Sequence, residues 1–285
     1  MTVSEIDDLA NLLGVDVGYE DGSWRYEALT FDLIAWAADW ILTPQELKGF
    51  GAANAVVLLQ KALSRIYSST KYHARGEIGE LLLHVILRRF MGSEKVISRL
   101  YFKDAANDTV KGFDAVHIVE CSDEQTSTDY LELWLGESKF YKSSGSAVRA
   151  VLAELKTHLE TNYLRQEFAA ISDKIPAGWK HEDALRALFA RTKSLDEVFE
   201  RVVVPVFITF DSPVSARHTN SSAQYMSEIE AELRSEWDQF KVSLAGIALP
   251  QEVRVQLILL PMASKDDLIT AFDGRLKAWQ KTLKP

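Results

Sequence analysis

Two short stretches place charged residues where the surrounding sequence is apolar. Lys111-Gly112-Phe113-Asp114-Ala115-Val116 sets a carboxylate inside one apolar run, and Leu135-Gly136-Glu137-Ser138-Lys139-Phe140-Tyr141 sets a Glu and a Lys two residues apart in another. Side chains alternate along a strand, so Glu137 and Lys139 leave the sheet on the side that Leu133 and Leu135 also occupy. Unpaired charge is costly to bury, so ionised groups on that face need partners or a task. With Asp114 on the preceding strand as a second carboxylate, the set matches what an octahedral Mg2+ (or Mn2+) ion requires beside phosphate oxygens and waters. Such an ion polarises a phosphodiester and lowers the pKa of an attacking water. A lysine beside it orients that water and offsets charge building on the phosphate oxygens.

A third stretch, Arg75-Gly76-Glu77-Ile78-Gly79-Glu80, opens the segment before the strands. Glu77 and Glu80 lie three apart on the flank of a helical apolar face, with His84 one turn beyond as a group that can support the metal ligands from behind. Gly79 costs about 1 kcal/mol against Ala inside a helix, which suggests a close approach to the first strand. Arg75, Lys142 and Arg149 lie beside the charged set and are candidate phosphate contacts. His117 shares strand parity with Phe113 and Ala115, so it faces away from Asp114. Taken alone, Asp…Glu-x-Lys is a weak pattern that an ordinary same-face ion pair and a turn aspartate also satisfy. The order of helix, strands and basic capped helix around it is what gives it weight. No Cys/His spacing suits zinc, and neither a Gly-rich phosphate loop nor a serine nucleophile elbow is present.

The elements that must position these residues emerge from hydrophobic periodicity. Ile78, Leu81, Leu82, Val85 and Ile86 form one apolar face of a helix. Strand-like runs come next at Lys95–Phe102, Gly112–Glu120 and Tyr130–Tyr141, separated by polar turns at Asp104–Asp108 and Ser122–Ser127. Ser143-Ser144-Gly145-Ser146 caps a helix whose stripe is Val148, Val151, Leu152, Leu155 and Leu159. A helical linker then runs to about Arg201, and Val202–Phe210 reads as a buried strand. A helix near Ser222–Lys241, a strand at Glu252–Leu260 and a helix at Lys265–Thr282 complete the pattern. Alternation of this kind predicts a mixed α/β sheet with helices on both faces, over residues 66–285. Residues 1–65 read as a mainly helical N-terminal extension, with Thr43-Pro44-Gln45-Glu46 as a helix start and Trp36 and Trp40 as packing residues.

Composition sets the outer bounds. Hydrophobic residues make up 47% of the 285 and charged residues 26%, enough apolar material for a real core. The lone cysteine, Cys121, rules out an internal disulfide framework and suits a reducing compartment. Met1–Asp21 carries six acids and no Lys or Arg, unlike a secretory signal, and no apolar run approaches a bilayer span of roughly 20 residues. The expectation is a cytoplasmic protein without a membrane partner. A net charge of −9 argues against a surface that binds nucleic acid everywhere, yet the basic residues are unevenly placed. Six Lys/Arg against two Glu fall in 61–90, and five against two in 138–165, flanking the charged set.

In this order the residues resemble the restriction-endonuclease-like PD-(D/E)XK superfamily. The R-G-E-x-G-E helix start, the G-F-D strand and the L-G-E-S-K-F-Y strand are more specifically similar to the AbpA/HamA family, over roughly residues 66–265. Phe113 stands where the superfamily name has proline, a departure many members share. The resemblance implies a restriction-endonuclease-like fold and a nuclease-like subunit of a bacterial anti-phage system, including Hachiman, cleaving DNA beside a helicase partner. It implies Asp114, Glu137 and Lys139 as the site. It also implies a third metal-binding acid in the helix, and the superfamily spacing of four residues after a glycine selects Glu80 ahead of Glu77. The competing expectation is an adaptor that kept the fold and mainly docks the helicase on nucleic acid. A site-specific restriction enzyme is a weaker third, since no base-reading module is apparent. The N-terminal extension carries no comparable motif and is expected to serve as a partner interface.

Overall fold

The computed structural model describes residues 2–6, 10–66, 76–98, 112–123, 128–189 and 194–282. Strands β1 (Thr2–Glu5) and β2 (Asn11–Val15) and a short hairpin, β3 (Tyr19–Glu20) and β4 (Ser23–Trp24), lead into helices α1 (Tyr26–Ile41) and α2 (Ala55–Arg65). Helix α3 (Gly76–Phe90) precedes β5 (Glu94–Ser98), β6 (Ala115–Asp123) and β7 (Thr128–Phe140). Helices α4 (Ser144–His158), α5 (Thr161–Ser172), α6 (Glu182–Leu188) and α7 (Leu195–Phe199) lead to β8 (Val202–Asp211). Then come α8 (Pro213–Arg217), α9 (Ala223–Leu244), β9 (Arg254–Met262) and α10 (Lys265–Lys281).

The main sheet has seven strands in the order β1-β2-β9-β8-β7-β6-β5. Strands β2, β9, β8 and β7 run parallel, whereas β1, β6 and β5 each pair antiparallel with their neighbours. Strand β8 is buried through nine of its ten residues, as expected of a central strand covered on both faces. Its side chains divide by parity. Val202, Val204, Val206, Ile208 and Phe210 join a core with α4, α5 and α9, while Val203 and Phe207 join one with α1, α3 and α10.

The N-terminal segment is more than the helices expected of it. Its first strands extend the same sheet, with β2 pairing parallel to β9 from Asn11↔Gln256 to Gly14↔Leu259. Such short strands, set among acids, leave little periodicity to read. The predicted helix start at Thr43 is corrected. Thr43 and Glu46 do form the reciprocal cap, with Thr43 N–H donating to Glu46 Oε2 at 3.0 Å and Glu46 N–H to Thr43 Oγ at 3.2 Å. The chain beyond this cap makes only a turn, because Gly49 takes a left-handed φ of 80° and breaks the run before α2.

A buried polar chain ties this segment to the rest. Asp39 of α1 bonds His84 Nε2 at 2.8 Å, His84 Nδ1 meets His117 Nε2 at 3.2 Å, and His117 Nδ1 meets Ser93 Oγ at 2.8 Å. Arg88 Nε donates to the same Asp39 carboxylate at 3.2 Å. Lys95 of β5 reaches the carbonyls of Trp40 at 3.1 Å and Leu42 at 2.8 Å, satisfying the C-terminal end of α1. Burial lowers the His84 pKa from 6.5 to about 4 despite Asp39, and holds His117 well below its ordinary value. Both imidazoles are therefore neutral near pH 7, while the unfolded chain takes up protons below about 6.5. Their contribution is whole above that value and is lost as pH falls towards 4. The melting temperature should thus fall between pH 7 and pH 5, with a shallower slope in a His84→Asn/His117→Asn variant. An equal slope in wild type and variant would count against the chain as the acid-sensitive element.

Candidate active site

The register between β6 and β7 builds the site. Ala115 pairs with Gly136, so Asp114, one residue before β6, falls opposite Glu137. Odd-numbered residues of β7 face α4, where Leu133 and Leu135 enter the core shared with Ala147, Val148 and Val151. Glu137 and Lys139 continue that row and are 1% and 8% exposed, with Asp114 at 7%. The opposite row faces α3, and its Trp134 and Phe140 pack with Ile78, Leu81 and Leu82. Gly136 interrupts that row because a Cβ there would meet Leu83 Cδ2 at 2.8 Å and Pro205 Cγ at 3.2 Å.

Each charge has protein partners. One oxygen of Asp114 accepts from the Ser138 backbone N–H and from Ser138 Oγ, both at 2.9 Å. Glu137 Oε1 lies 2.6 Å from His158 Nδ1, and Oε2 lies 3.9 Å from Lys139 Nζ. Lys139 Nζ is also paired with Glu154. His158 is held between Tyr163, stacked at 4.6 Å between centroids, and Phe113, edge-on at 5.3 Å. Burial, reinforced by the neighbouring Asp114 charge, pushes the Glu137 carboxyl well above the usual range. Burial alone would lower the Lys139 pKa, but Glu154, Glu137 and Asp114 outweigh it and hold the ammonium more firmly protonated than usual. Burial also lowers His158, against the pull of nearby carboxylates.

Sequence patterning alone does not single out Glu154 and His158. They lie three and seven residues after Val151, so both occupy the helical face that carries the Val151–Leu155 stripe. Two polar residues on an apolar stripe, beside a strand bearing Glu and Lys, are the signal that could have found them.

The helix acids sit on the other side of β7. Glu80 is buried in α3 at 9% exposure, and Glu77, a turn earlier, is half-buried. Between them Gly79 brings α3 against the third strand of the sequence pattern, rather than the first as expected. A Cβ at Gly79 would come within 3.0 Å of Phe140 Cβ and 3.3 Å of Ser138 Oγ, the hydroxyl bonded to Asp114. The role expected for His84 behind the metal ligands is corrected. Both its ring nitrogens are engaged by Asp39 and His117, on the α3 face, because β6 alternates and His117 lies opposite in parity to Asp114. Lys142 is exposed and paired with Asp266 at 2.6 Å. Arg149 is exposed and donates to Ser146 Oγ at 3.1 Å, and Arg75 lies outside the described residues.

Whether these residues suit a divalent ion can be judged from the donors. Two buried carboxylates sit side by side, and their mutual repulsion is what a hard, oxygen-seeking cation relieves. A second group, Glu94, Glu120 and His181, has ligand atoms within 4.8 Å of one another and could also hold a metal ion.

A mixed seven-stranded sheet covered by helices, with a buried Asp, Glu and Lys at the junction of two of its strands, is a nuclease-like α/β architecture. The chain belongs to the HamA family, whose model matches residues 2–276 and so takes in the N-terminal strands and helices as well. Membership points to a component of Hachiman-type anti-phage defence. No curated protein matches the sequence significantly. Among the described residues no helix is long and apolar enough to cross a membrane.

Replacing one of two buried like charges should stabilise the metal-free protein. In EDTA, Glu137→Gln is expected to raise stability by about 1 kcal/mol, or roughly 2–4 °C in melting temperature for a chain of this size. A clear fall in melting temperature would mean that the bond to His158 outweighs the repulsion from Asp114.

Proposed function

We propose that the protein is a metal-dependent DNA endonuclease, the effector of an anti-phage defence system, controlled by a helicase partner. The observation that carries this reading is the burial of Glu137 and Lys139 together, with Asp114 opposite, on the face of β7 that Leu133 and Leu135 otherwise fill. Asp114 and Glu137 would hold Mg2+ (or Mn2+). Glu80, or Glu77 in its place, is proposed as the third acid although α3 packs on the opposite face of β7, where Gly79 lies beside the Ser138 hydroxyl that holds Asp114. When bound, the ion supplies a polarised phosphodiester and a water of lowered pKa. Lys139, kept protonated by its carboxylate neighbours, acts as a hydrogen-bond donor and positive charge for the attacking water and the phosphate rather than as a proton acceptor. His158 fixes one oxygen of Glu137 and leaves the other towards Lys139. Glu154, half-exposed, competes for the Lys139 ammonium and restrains it until substrate arrives.

Cleavage of plasmid and oligonucleotide DNA with Mg2+ or Mn2+, with and without the helicase encoded beside it, tests the reading. Wild type should cut, the complex more than the free subunit, and Glu137→Ala/Lys139→Ala should lose at least about a hundredfold of the rate. No cutting in any combination, with both proteins folded and associated, would favour an adaptor that docks the helicase on nucleic acid. Equal cutting by free subunit and complex would remove the restraint from the proposal and leave the nuclease.

The N-terminal segment is proposed to dock that partner. Phe31, Phe50, Val56 and Val57 are 56–63% exposed and all fall within it. Exposed apolar side chains gathered in one segment are what a docking surface would supply. A Phe50→Ser/Val57→Ser variant should keep its melting temperature and bind the helicase at least roughly tenfold more weakly in a pull-down titration. Undiminished binding would place the interface elsewhere.

A further inference from the structure

Glu94 opens β5, Glu120 lies near the end of β6, and His181 caps the start of α6. Glu94 pairs with Ile118, so Glu120, two residues further on, leaves the same face of the sheet. His181 Nε2 lies 3.3 Å from Glu120 Oε1 and 3.7 Å from Glu94 Oε1. The imidazole is 6% exposed, and its Nε2 is fully buried with no hydrogen-bond partner among the described residues. Trp179 packs edge-on against the ring at 5.0 Å and fixes its direction. A buried imidazole nitrogen aimed between two carboxylate oxygens, yet aligned with neither, leaves its desolvation uncompensated.

Lys180 partly neutralises the pair, at 2.6 Å from Glu94 and 3.5 Å from Glu120. Its side chain is 55% exposed, so the ammonium can withdraw into water at small cost. Although burial pushes the Glu94 pKa up, the bond to Lys180 and the charge of its ammonium hold it below the ordinary value, so the carboxylate is ionised near neutrality.

We propose that Glu94, Glu120 and His181 form a second divalent-metal site, selective for a transition ion such as Zn2+, that displaces Lys180 and clamps β5 and β6 to the start of α6. One imidazole nitrogen and two carboxylate oxygens leave a tetrahedral ion one open position. The imidazole favours zinc over magnesium, unlike the all-oxygen Asp114–Glu137 pair. Glu120 is six residues along the strand from Asp114, about 20 Å away, so the two ions would be independent. The site does not rest on nuclease activity. Its role would be structural, tying an antiparallel sheet edge to the helical layer that also covers Glu137.

The test is titration of metal-stripped full-length protein with Zn2+, and with Co2+ as a visible-absorbing substitute, in an Asp114→Asn/Glu137→Gln background that disables the other site. About one equivalent should bind, with a tetrahedral Co2+ absorption band. His181→Ala and Glu120→Gln should each weaken binding at least roughly tenfold, and Lys180→Ala should strengthen it because the competing ammonium is gone. If His181→Ala does not fold, as judged by circular dichroism, Lys180→Ala and Glu120→Gln decide. No binding below about 1 mM, or an affinity unmoved by these substitutions, would overturn the site.

Discussion

The structure depends on the register of one antiparallel pair. Nine consecutive pairings, from Ala115↔Gly136 to Asp123↔Thr128, lock β6 to β7. A slip of one residue would turn every side chain of one strand to the opposite face. Glu137 and Lys139 would then enter the apolar layer under α3, and Asp114 would lose its place across from Glu137. The leucines at 133 and 135, fully buried against α4, hold the register, because moving them to the other face forfeits that packing. Hydrophobic burial thus fixes where the charges go, at a stability cost that the surrounding core must offset.

The same alternation gives the two faces of the sheet different work. Towards α4 lie Glu137 and Lys139, each met by a polar residue of that helix. Towards α3 lies His117, in a chain that passes through His84 to Asp39 of α1. Ser138 joins the faces. Its backbone and hydroxyl hold Asp114, and Gly79 of α3 stands against that hydroxyl. Movement of α3 therefore bears on the Asp114 carboxylate through one side chain, and α3 is bound in turn to the N-terminal segment through His84 and Arg88. This is a continuous physical path from the proposed partner-docking helices to the proposed ligands.

Much of this was legible in the sequence, for identifiable reasons. The period-2 and period-3.6 patterns from Ile78 onwards gave the strands and helices around the site, because long buried elements leave strong periodicity. Asp114, Glu137 and Lys139 stood out as charges inside apolar strands. The N-terminal strands did not, since four or five residues at a sheet edge or one place in from it can be paired without a distinctive pattern. Nor did the turn after Thr43, where a real capping box leads to no helix. The Asp39–His84–His117–Ser93 chain and the Glu94–Glu120–His181 group join residues far apart in sequence, whose single-letter context is ordinary. Their meaning lies in burial and direction, which only the packed fold supplies.

Charge balance bears on how such a protein would engage DNA. Near the proposed site Lys139 is committed to Glu154 and Lys142 to Asp266, and the chain as a whole carries a net charge of −9. Affinity for duplex DNA comes largely from cations that release counterions from phosphates, and cations already paired with carboxylates give less of it. A DNA strand reaching Glu137 must therefore displace Glu154 from Lys139 or be held there by something else. Both routes point the same way. The free subunit should bind DNA weakly, and a partner that grips the nucleic acid itself would raise the local strand concentration enough for phosphate to compete with Glu154. On this argument the restraint lies in the pairing of the lysine as much as in any lid over the site.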